Sequence, residues 1–393
     1  MRPFSLFPLL FVSIPVVSQD TQEGQVIISV GSDAIPALAG YFANDEALLV
    51  REKNVSILRV PEKELPFLSH LMHEKFGRCG GFFVEDSFQT ALSAMRERFV
   101  SNDEAYTIDQ AERVKEAIGL VREEKIRGTI EALSAFRNRY YHSPHGVQSQ
   151  EFVGKTWLEL ASSLPNVRLE YFEHAAYPQR SVILTIPGVK TPEEVIVIGG
   201  HGDSIAGWNP PQDVEAPGAD DNASGISTIT EVIRVLSALN FAPDRTIKFM
   251  SYAAEEVGLR GSNEIATQFE QSGVQVKGVI QLDMTNFTTR PKEIVIMTDF
   301  TDPRQNQFMK NLLSTYLPTF TVLEDRCGYA CSDHASWHRH GFPASIPFES
   351  RMREYNPNIH TKRDTISVSN NRAEHAVPFA QLVLAYAIEL LTL

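Results

Sequence analysis

VIVIGGHGDS at 195–204, PGADDNASG at 217–225, IKFMSYAAEEVG at 247–258 and VIQLDM at 279–284 decide how this chain folds. Three of them are short apolar runs that stop at His, Asp or Glu, which is how a buried parallel strand delivers side chains to its carboxyl edge. Open α/β sheets hold their sites at that edge. The remaining segment is a Gly-bearing loop in which Asn222 caps a helix from about 223 to 239, with Ile226, Ile229, Ile233 and Leu236 as its buried stripe.

Working outward, TPEEVIVIGGH reads as the strand that ends at His201 and TIKFMSYAA as one that ends at Glu255 and Glu256. Upstream, VRLEYFEH and QRSVILTIPG read as strands and QSQEFVGKTWLELASSL as a helix. Residues 108–141 have helical periodicity, with Val114, Ile118 and Val121 on one face, then Ile130, Leu133 and Phe136. HAVPFAQLVLAYAIELLTL at the end is a packing helix. Strands alternating with helices predict an α/β domain, a mixed and mostly parallel twisted sheet with helices on both faces.

With 43% hydrophobic residues in 393, the chain has material for one large core and a smaller unit. A net charge of -13 argues against a nucleic-acid surface. Met1 and Arg2 precede the apolar run FSLFPLLFVSIPVV and the small Ser18, the pattern of a secretory signal peptide over 1–18. That run is too short to span a bilayer and contains Pro8 and Pro15, and no later segment approaches about 18 uninterrupted apolar residues. The expectation is a secreted, extracellular protein that does not bind membranes.

Cysteine usage fits that compartment. Cys327 and Cys331 in CGYAC are spaced to close a small disulfide loop, and Cys79 stands alone near a Gly pair. A metal role for CGYAC lacks the second Cys pair that a tetrahedral site needs.

Between about 21 and 103, QVIISVGS and NVSILRV read as strands and LPFLSHLMHEKF and SFQTALSAMRERF as amphipathic helices, enough for a small α+β unit. His73 and Glu74 begin an H-E-x-x-H pattern that fails at Gly77. The position of this unit marks it as a propeptide, 19–104, that assists folding or covers the site, with cleavage in polar SNDEAYTID before a catalytic domain at 105–393.

The candidate chemistry rests on His201 with Asp203, Asp220 with Asp221, Glu255 with Glu256, Asp283, and His360. These are the donors that zinc and its neighbours take, and one carboxylate can bridge two ions. Neighbouring residues at a strand end point different ways, so each doublet offers one metal ligand and one side chain for another task. For Glu255 and Glu256 the division is a ligand and a proton carrier. Singly, such doublets are more often turns and helix caps; the signal is their convergence at strand ends.

GGHGDS, APGADDNASG, YAAEEVGLRGS, QLDMTN, CGYACSDHASW, PFES and NPNIHTKRDT together resemble the secreted co-catalytic zinc aminopeptidases of the bacterial leucyl aminopeptidase type, over about 130–393. The resemblance implies two Zn2+ ions bridged by Asp220, one completed by His201 and Asp283 and the other by Glu256 and His360. It further implies Glu255 as general base, Asp203 orienting the His201 ring, and Asp221 supporting the bridging position. Tyr329 would hydrogen-bond the developing oxyanion. An apolar pocket of Met284, Met297, Ile346, Phe348, Met352, Tyr355 and Ile359 would favour Leu-like first residues of peptides with a free amino terminus. The implied protein is a monomeric pre-pro-enzyme whose partners are those peptides and its own propeptide. Gly202 departs from the family, which has a larger apolar residue there.

Rival patterns are weaker. His334 and His338 lie four apart without the adjacent Glu of a metalloprotease helix, and GDSIAG around Ser204 has the wrong spacing for a serine nucleophile. A receptor-like relative without catalysis would not need Glu255 and all five ligands. A carboxypeptidase would want a basic clamp for the terminal carboxylate, for which Arg351 or Arg353 could be mistaken. Asn54, Asn222 and Asn286 sit in N-x-S/T patterns, the last two awkwardly close to proposed ligands.

Overall fold

The computed structural model describes residues 24–42, 47–95, 104–207 and 213–393. The expected signal peptide, and residues 101–103 of the expected cleavage region, lie outside them. No described helix is long and apolar enough to cross a membrane.

The chain begins with β1 (Gln25–Gly31), α1 (Ile35–Leu38), β2 (Leu48–Arg51), β3 (Val55–Pro61), α2 (Leu65–Phe76), β4 (Phe82–Glu85) and α3 (Phe88–Ala94). The strands form an antiparallel sheet in the order β2-β3-β1-β4. Gly77, in the left-handed region at φ 61°, stops α2 by giving its N–H to His73 O, the C-cap that glycine makes without a Cβ penalty.

Three helices follow, α4 (Ala111–Gly119), α5 (Glu123–Ser134) and α6 (Pro144–Leu160), and then the main run: β5 (Arg168–Phe172), β6 (Ser181–Ile186), β7 (Thr191–His201), α7 (Ala223–Ala238), β8 (Arg245–Tyr252), α8 (Arg260–Gln271) and β9 (Gln275–Gln281). The last part holds β10 (Glu293–Met297), α9 (Pro303–Tyr316), β11 (Thr321–Asp325), α10 (His334–Arg339), β12 (Ala344–Ser345), β13 (Pro347–Phe348) and α11 (Ala376–Leu391).

Six strands make one sheet in the order β12-β9-β7-β8-β6-β5. From β12 to β8 neighbours are parallel, and β6 and β5 turn antiparallel. A smaller sheet, β11-β10-β13, lies beside it. The mixed, mostly parallel sheet flanked by helices is the architecture that the alternation of strands and helices predicts.

Every residue of β7 from Val195 onward is buried, as befits a strand covered on both faces. The chain crosses from β8 on one side of β7 to β9 on the other, so a crevice opens at the carboxyl end of β7, where doubly wound sheets bind ligands. One boundary differs from the sequence reading. β8 stops at Tyr252, and Glu255 and Glu256 lie in the turn beyond it, where Ala254 has a left-handed backbone at φ 55°.

The N-terminal unit is not packed apart from the rest. Ile28, Val30, Leu58, Leu68, Met72 and Phe82 share one apolar core with Tyr140, Tyr141, Tyr177, Ala253, Ala254 and Val257 of the larger body. Backbone joins them too, Val84 N–H donating to Gly258 O at 3.1 Å. Glu62 pairs with Arg260 at 2.9 Å and the almost fully buried Glu85 with Arg339 at 2.6 Å. From Glu104 onward the chain belongs to the larger body: Glu104 pairs with Arg245 at 2.8 Å, and the N–H groups of Asp109 and Gln110 donate to Glu389.

Candidate metal centre

His201, the last residue of β7, is 1% exposed. Its Nδ1 faces Asp203, 3.2 Å from the carbonyl oxygen and 3.5 Å from Oδ1, which turns Nε2 into the crevice. There Nε2 meets Asp221 Oδ1 at 3.1 Å and Asp283 Oδ1 at 3.5 Å. Asp203 also fixes the turn after β8, because its carboxylate accepts the N–H groups of Glu255 at 3.1 Å and Glu256 at 3.2 Å. One buried carboxylate therefore sets both the first imidazole and the glutamate doublet.

Asp221 reaches a second imidazole as well. Its Oδ2 lies 3.3 Å from His360 Nε2, and the same nitrogen is 2.7 Å from Glu256 Oε2. His201, Asp221 and Asp283 offer ligand atoms within 4.8 Å of one another, and so do Cys79, Asp221 and His360. Two clusters thus share one carboxylate, and it belongs to Asp221.

That corrects the assignment of Asp220 as the bridging ligand. Asp220 Oδ1 accepts the N–H groups of Asn286 at 3.2 Å and Phe287 at 3.1 Å, so the side chain points under the site. Phe287 N–H also donates to Glu349, which shares this buried position with Asp220. The roles within the doublet are exchanged: Asp220 supports, and Asp221 faces the imidazoles.

Electrostatics separates the two carboxyls in the same sense. Burial pushes Asp220 up to about 6 despite help from Glu349. For Asp221 burial works in the same direction, but His201 and His360 outweigh it and hold its carboxyl well below the usual carboxylate range. Burial raises Glu255 well above that range; His201 opposes the rise, while Asp333, Asp283 and Glu256 add to it.

Two residues of the quoted motifs carry tasks that the sequence reading did not assign. Asp364 accepts the N–H groups of Asp220 and Asp221, at 3.2 and 3.0 Å, and the Asn356 amide at 3.0 Å. Asn222, beyond capping its helix, donates to His201 O at 3.3 Å and Leu282 O at 2.9 Å and accepts Met284 N–H at 3.2 Å. It ties the ends of β7, β9 and α7 together. Met284 and His360 themselves have left-handed backbones at φ 55° and 56°. Side chains other than Gly cost about 1–3 kcal/mol there, and such residues persist where surrounding contacts fix them.

The donor set fits a metal. Asp221 Oδ2, both oxygens of Glu256, Asp283 Oδ1 and His360 Nε2 are buried without hydrogen-bond partners, a costly state for carboxylates in an interior unless a cation completes them. Imidazole and carboxylate suit zinc and neighbouring divalent ions.

Other sequence candidates fall into place around this centre. Met284, Met297, Ile346, Phe348 and Ile359 form one apolar cluster, with Met352, Tyr355 and Cys327 packed against it. The Cys327–Cys331 disulfide forms. Tyr329 is buried, and its hydroxyl accepts the N–H of Cys79 at 2.9 Å. His334 joins neither cluster and is fully buried, which lowers its pKa to about 3, while His338 is partly exposed on the same helix. Arg351 lies 3.5 Å from Glu293 on the half-exposed surface. Asn222 and Asn286 are buried with bonded side-chain amides, which leaves Asn54 as the exposed member of the three sequons.

Gly202 has a local explanation. A Cβ there would sit 2.5 Å from Ser251 Oγ and 2.6 Å from Gln150 Nε2, and those two side chains are hydrogen-bonded to each other at 2.8 Å. A polar pair from α6 and β8 fills the space, so the missing side chain alters the wall behind His201 rather than the pocket.

Comparison with known proteins supplies the family. The profile of peptidase family M28 matches residues 181–386. A probable aminopeptidase of Saccharomyces cerevisiae is 34% identical over 291 residues, 72% of this chain and 77% of the yeast protein. Leucine aminopeptidase 1 of Chaetomium globosum is 35% identical over 329 residues, 80% of this chain and 79% of that one. The crystal structure of the LapA aminopeptidase of Legionella pneumophila superposes with a TM-score of 0.82 at 28% identity, covering 94% of this chain and 99% of that one. Coverage of that extent takes in the N-terminal unit as well as the larger body.

Proposed function

The chain belongs to peptidase family M28 and is a metallo-aminopeptidase, and from that premise we propose a secreted di-zinc enzyme that removes Leu-like residues from peptide amino termini. The observation that carries the metal count is Asp221, a single carboxylate within 3.3 Å of both His201 and His360. In this reading His201 and Asp283 complete one zinc site and Glu256 and His360 the other.

When bound, the ions polarise the scissile carbonyl and lower the pKa of water from 15.7 toward about 7. Glu255 takes a proton from the attacking water and later gives it to the leaving amine. Its burial and anionic neighbours favour the protonated form, which suits the second half of that task. Asp203 holds Glu255 and Glu256 through their backbone N–H groups, so carrier and ligand keep a fixed separation. Tyr329 donates to the developing oxyanion once its hydroxyl is free of Cys79. The Met284, Met297, Ile346 and Phe348 cluster supports the Leu preference, because it is apolar and includes Met284, which follows Asp283 in the chain.

We further propose the domain plan 1–18 signal peptide, 19–104 propeptide and 105–393 catalytic domain. The ties from Glu104, Asp109 and Gln110 into the larger body support a boundary near 104. Peptides with a free amino terminus and the chain's own propeptide are its proposed partners, and it acts as a monomer.

Chelation tests the reading. Metal-free protein should lose leucyl amide hydrolysis and zinc should restore it at two ions per chain; full activity without metal rejects the mechanism. Leucine should be released from an amino-terminal position and retained at a carboxyl-terminal one, which separates this enzyme from a carboxypeptidase.

A further inference from the structure

The turn that joins α2 to β4 lies across the mouth of the crevice. Tyr355 donates to Gly77 O at 3.2 Å, the Arg78 guanidinium lies 5.3 Å from the centre of the Tyr329 ring, and Cys79 N–H is bonded to the Tyr329 hydroxyl. The Cys79 side chain packs on the apolar cluster proposed to receive the first substrate residue. Just before the turn, His73 faces the ring of His360 with centroids 4.8 Å apart.

The Cys79 thiol approaches one side of the metal centre. Its sulfur falls within 4.8 Å of ligand atoms of Asp221 and His360, where His360 Nε2, Asp221 Oδ2 and the Glu256 oxygens are buried and lack hydrogen-bond partners. His360 is 8% exposed and Glu256 2%. These are unsatisfied donors aimed at a common space that the sulfur also borders.

We infer that the Cys79 thiolate is an additional ligand to the metal held by Asp221, Glu256 and His360, and that through it the N-terminal unit keeps the enzyme latent. The inference rests on the di-metal reading above. Zinc accepts thiolate alongside imidazole and carboxylate, and a sulfur ligand with those three completes a closed, four-coordinate set. The S–H proton leaves to solvent as the sulfur–metal bond forms and returns when the bond breaks, so no oxidant or reductant is involved. The same turn acts against substrate twice more, by packing Cys79 on the apolar cluster and by engaging the Tyr329 hydroxyl. Cys79 is the one thiol outside the disulfide, which makes it a clean spectroscopic reporter.

Cobalt substitution of the full-length secreted chain tests this without relying on turnover. Metal-free protein titrated with Co2+ should bind two ions and develop near-ultraviolet thiolate-to-cobalt charge transfer, and Cys79→Ser should bind two ions and lack that band. In wild type, an aromatic disulfide reagent should label Cys79 at least about tenfold more slowly when metal is loaded than when it is absent. Two bound cobalt ions with no charge-transfer band and unprotected thiol overturn the Cys79 assignment and leave the di-metal reading standing. Failure of wild type and variant alike to bind stoichiometric cobalt overturns both. The labelling experiment uses wild type alone, so it decides the matter even if Cys79→Ser does not fold.

Discussion

The two halves of the metal centre are enclosed in different ways. His201 and Asp283 are delivered by adjacent parallel strands, β7 and β9, and the hydrogen bonds that fix these strand ends among the described residues come from Asp203 and Asn222 of the larger body. His360 comes from a long loop, and its outer side meets His73 and Cys79 of the N-terminal unit. One half is therefore built into the sheet, while the other is finished by a separate piece of chain. Under the proposed function, the first half is fixed by the sheet and the second is the half that the N-terminal unit can reach.

The largest effect should come from the residue that joins the halves. Asp221→Asn removes the shared negative charge and should reduce metal content from two ions to at most one, with hydrolysis falling to background. Asp220→Asn should keep both ions and weaken them by about 10–100-fold, the range for residues that support ligands. Metal analysis after dialysis against a weak chelator checks both. If Asp220→Asn strips the metals and Asp221→Asn does not, the bridging role returns to Asp220 and the comparison between halves must be redrawn.

Next is Glu255→Gln, which should retain both ions and lose about 10²–10⁴-fold in kcat, the usual worth of a positioned proton carrier. Nearly unchanged turnover with full metal content would take Glu255 out of that role.

These first two expectations mark how far the sequence carries. Apolar runs lead into His201, Asp203, Glu256 and Asp283, whereas His360 was named through its motif alone. Of the apolar cluster, Met284, Phe348 and Ile359 lie in the quoted motifs, and packing adds Met297 and Ile346 to them. The doublet at 220 and 221 was assigned the other way round, since the direction of each side chain is set by the backbone N–H groups of Asn286 and Phe287 and by Asp364, from distant parts of the chain. A pattern of two carboxylates holds no record of those partners. Nor does Cys79 carry a local signal: a single cysteine beside two glycines gains meaning only when α2 is docked and its Gly77 cap aims the following turn at His360.

Opening the roof should change substrate access more than chemistry. A chain cut between 96 and 103 and freed of its N-terminal unit should hydrolyse leucyl substrates with apparent KM lower by about tenfold or more, since the competent fraction scales apparent affinity. Its kcat should stay within about twofold once all sites are open. Equal KM before and after release would mean that the unit is a permanent part of the wall and not a cover. Its extended shared core, with Ala253, Ala254 and Val257 next to the glutamate doublet, gives such a wall real cohesion, so the measurement separates two distinct designs.

The smallest expected effect lies beneath the site, in the larger body. His375 Nε2 donates to Glu349 O at 3.0 Å, and burial lowers its pKa to about 4. The unfolded chain, with a histidine pKa near 6.5, binds more protons than the folded one between those values. Stability from the neutral ring is therefore fully present above about pH 6.5 and lost as pH falls toward about 4, by at most about 3 kcal/mol. His375→Gln should flatten this limb of the denaturation profile while keeping the bond to Glu349. The acid loss should be the same with the N-terminal unit attached or released, because His375 touches only the floor; a loss that disappears on release would show that floor and roof unfold as one unit.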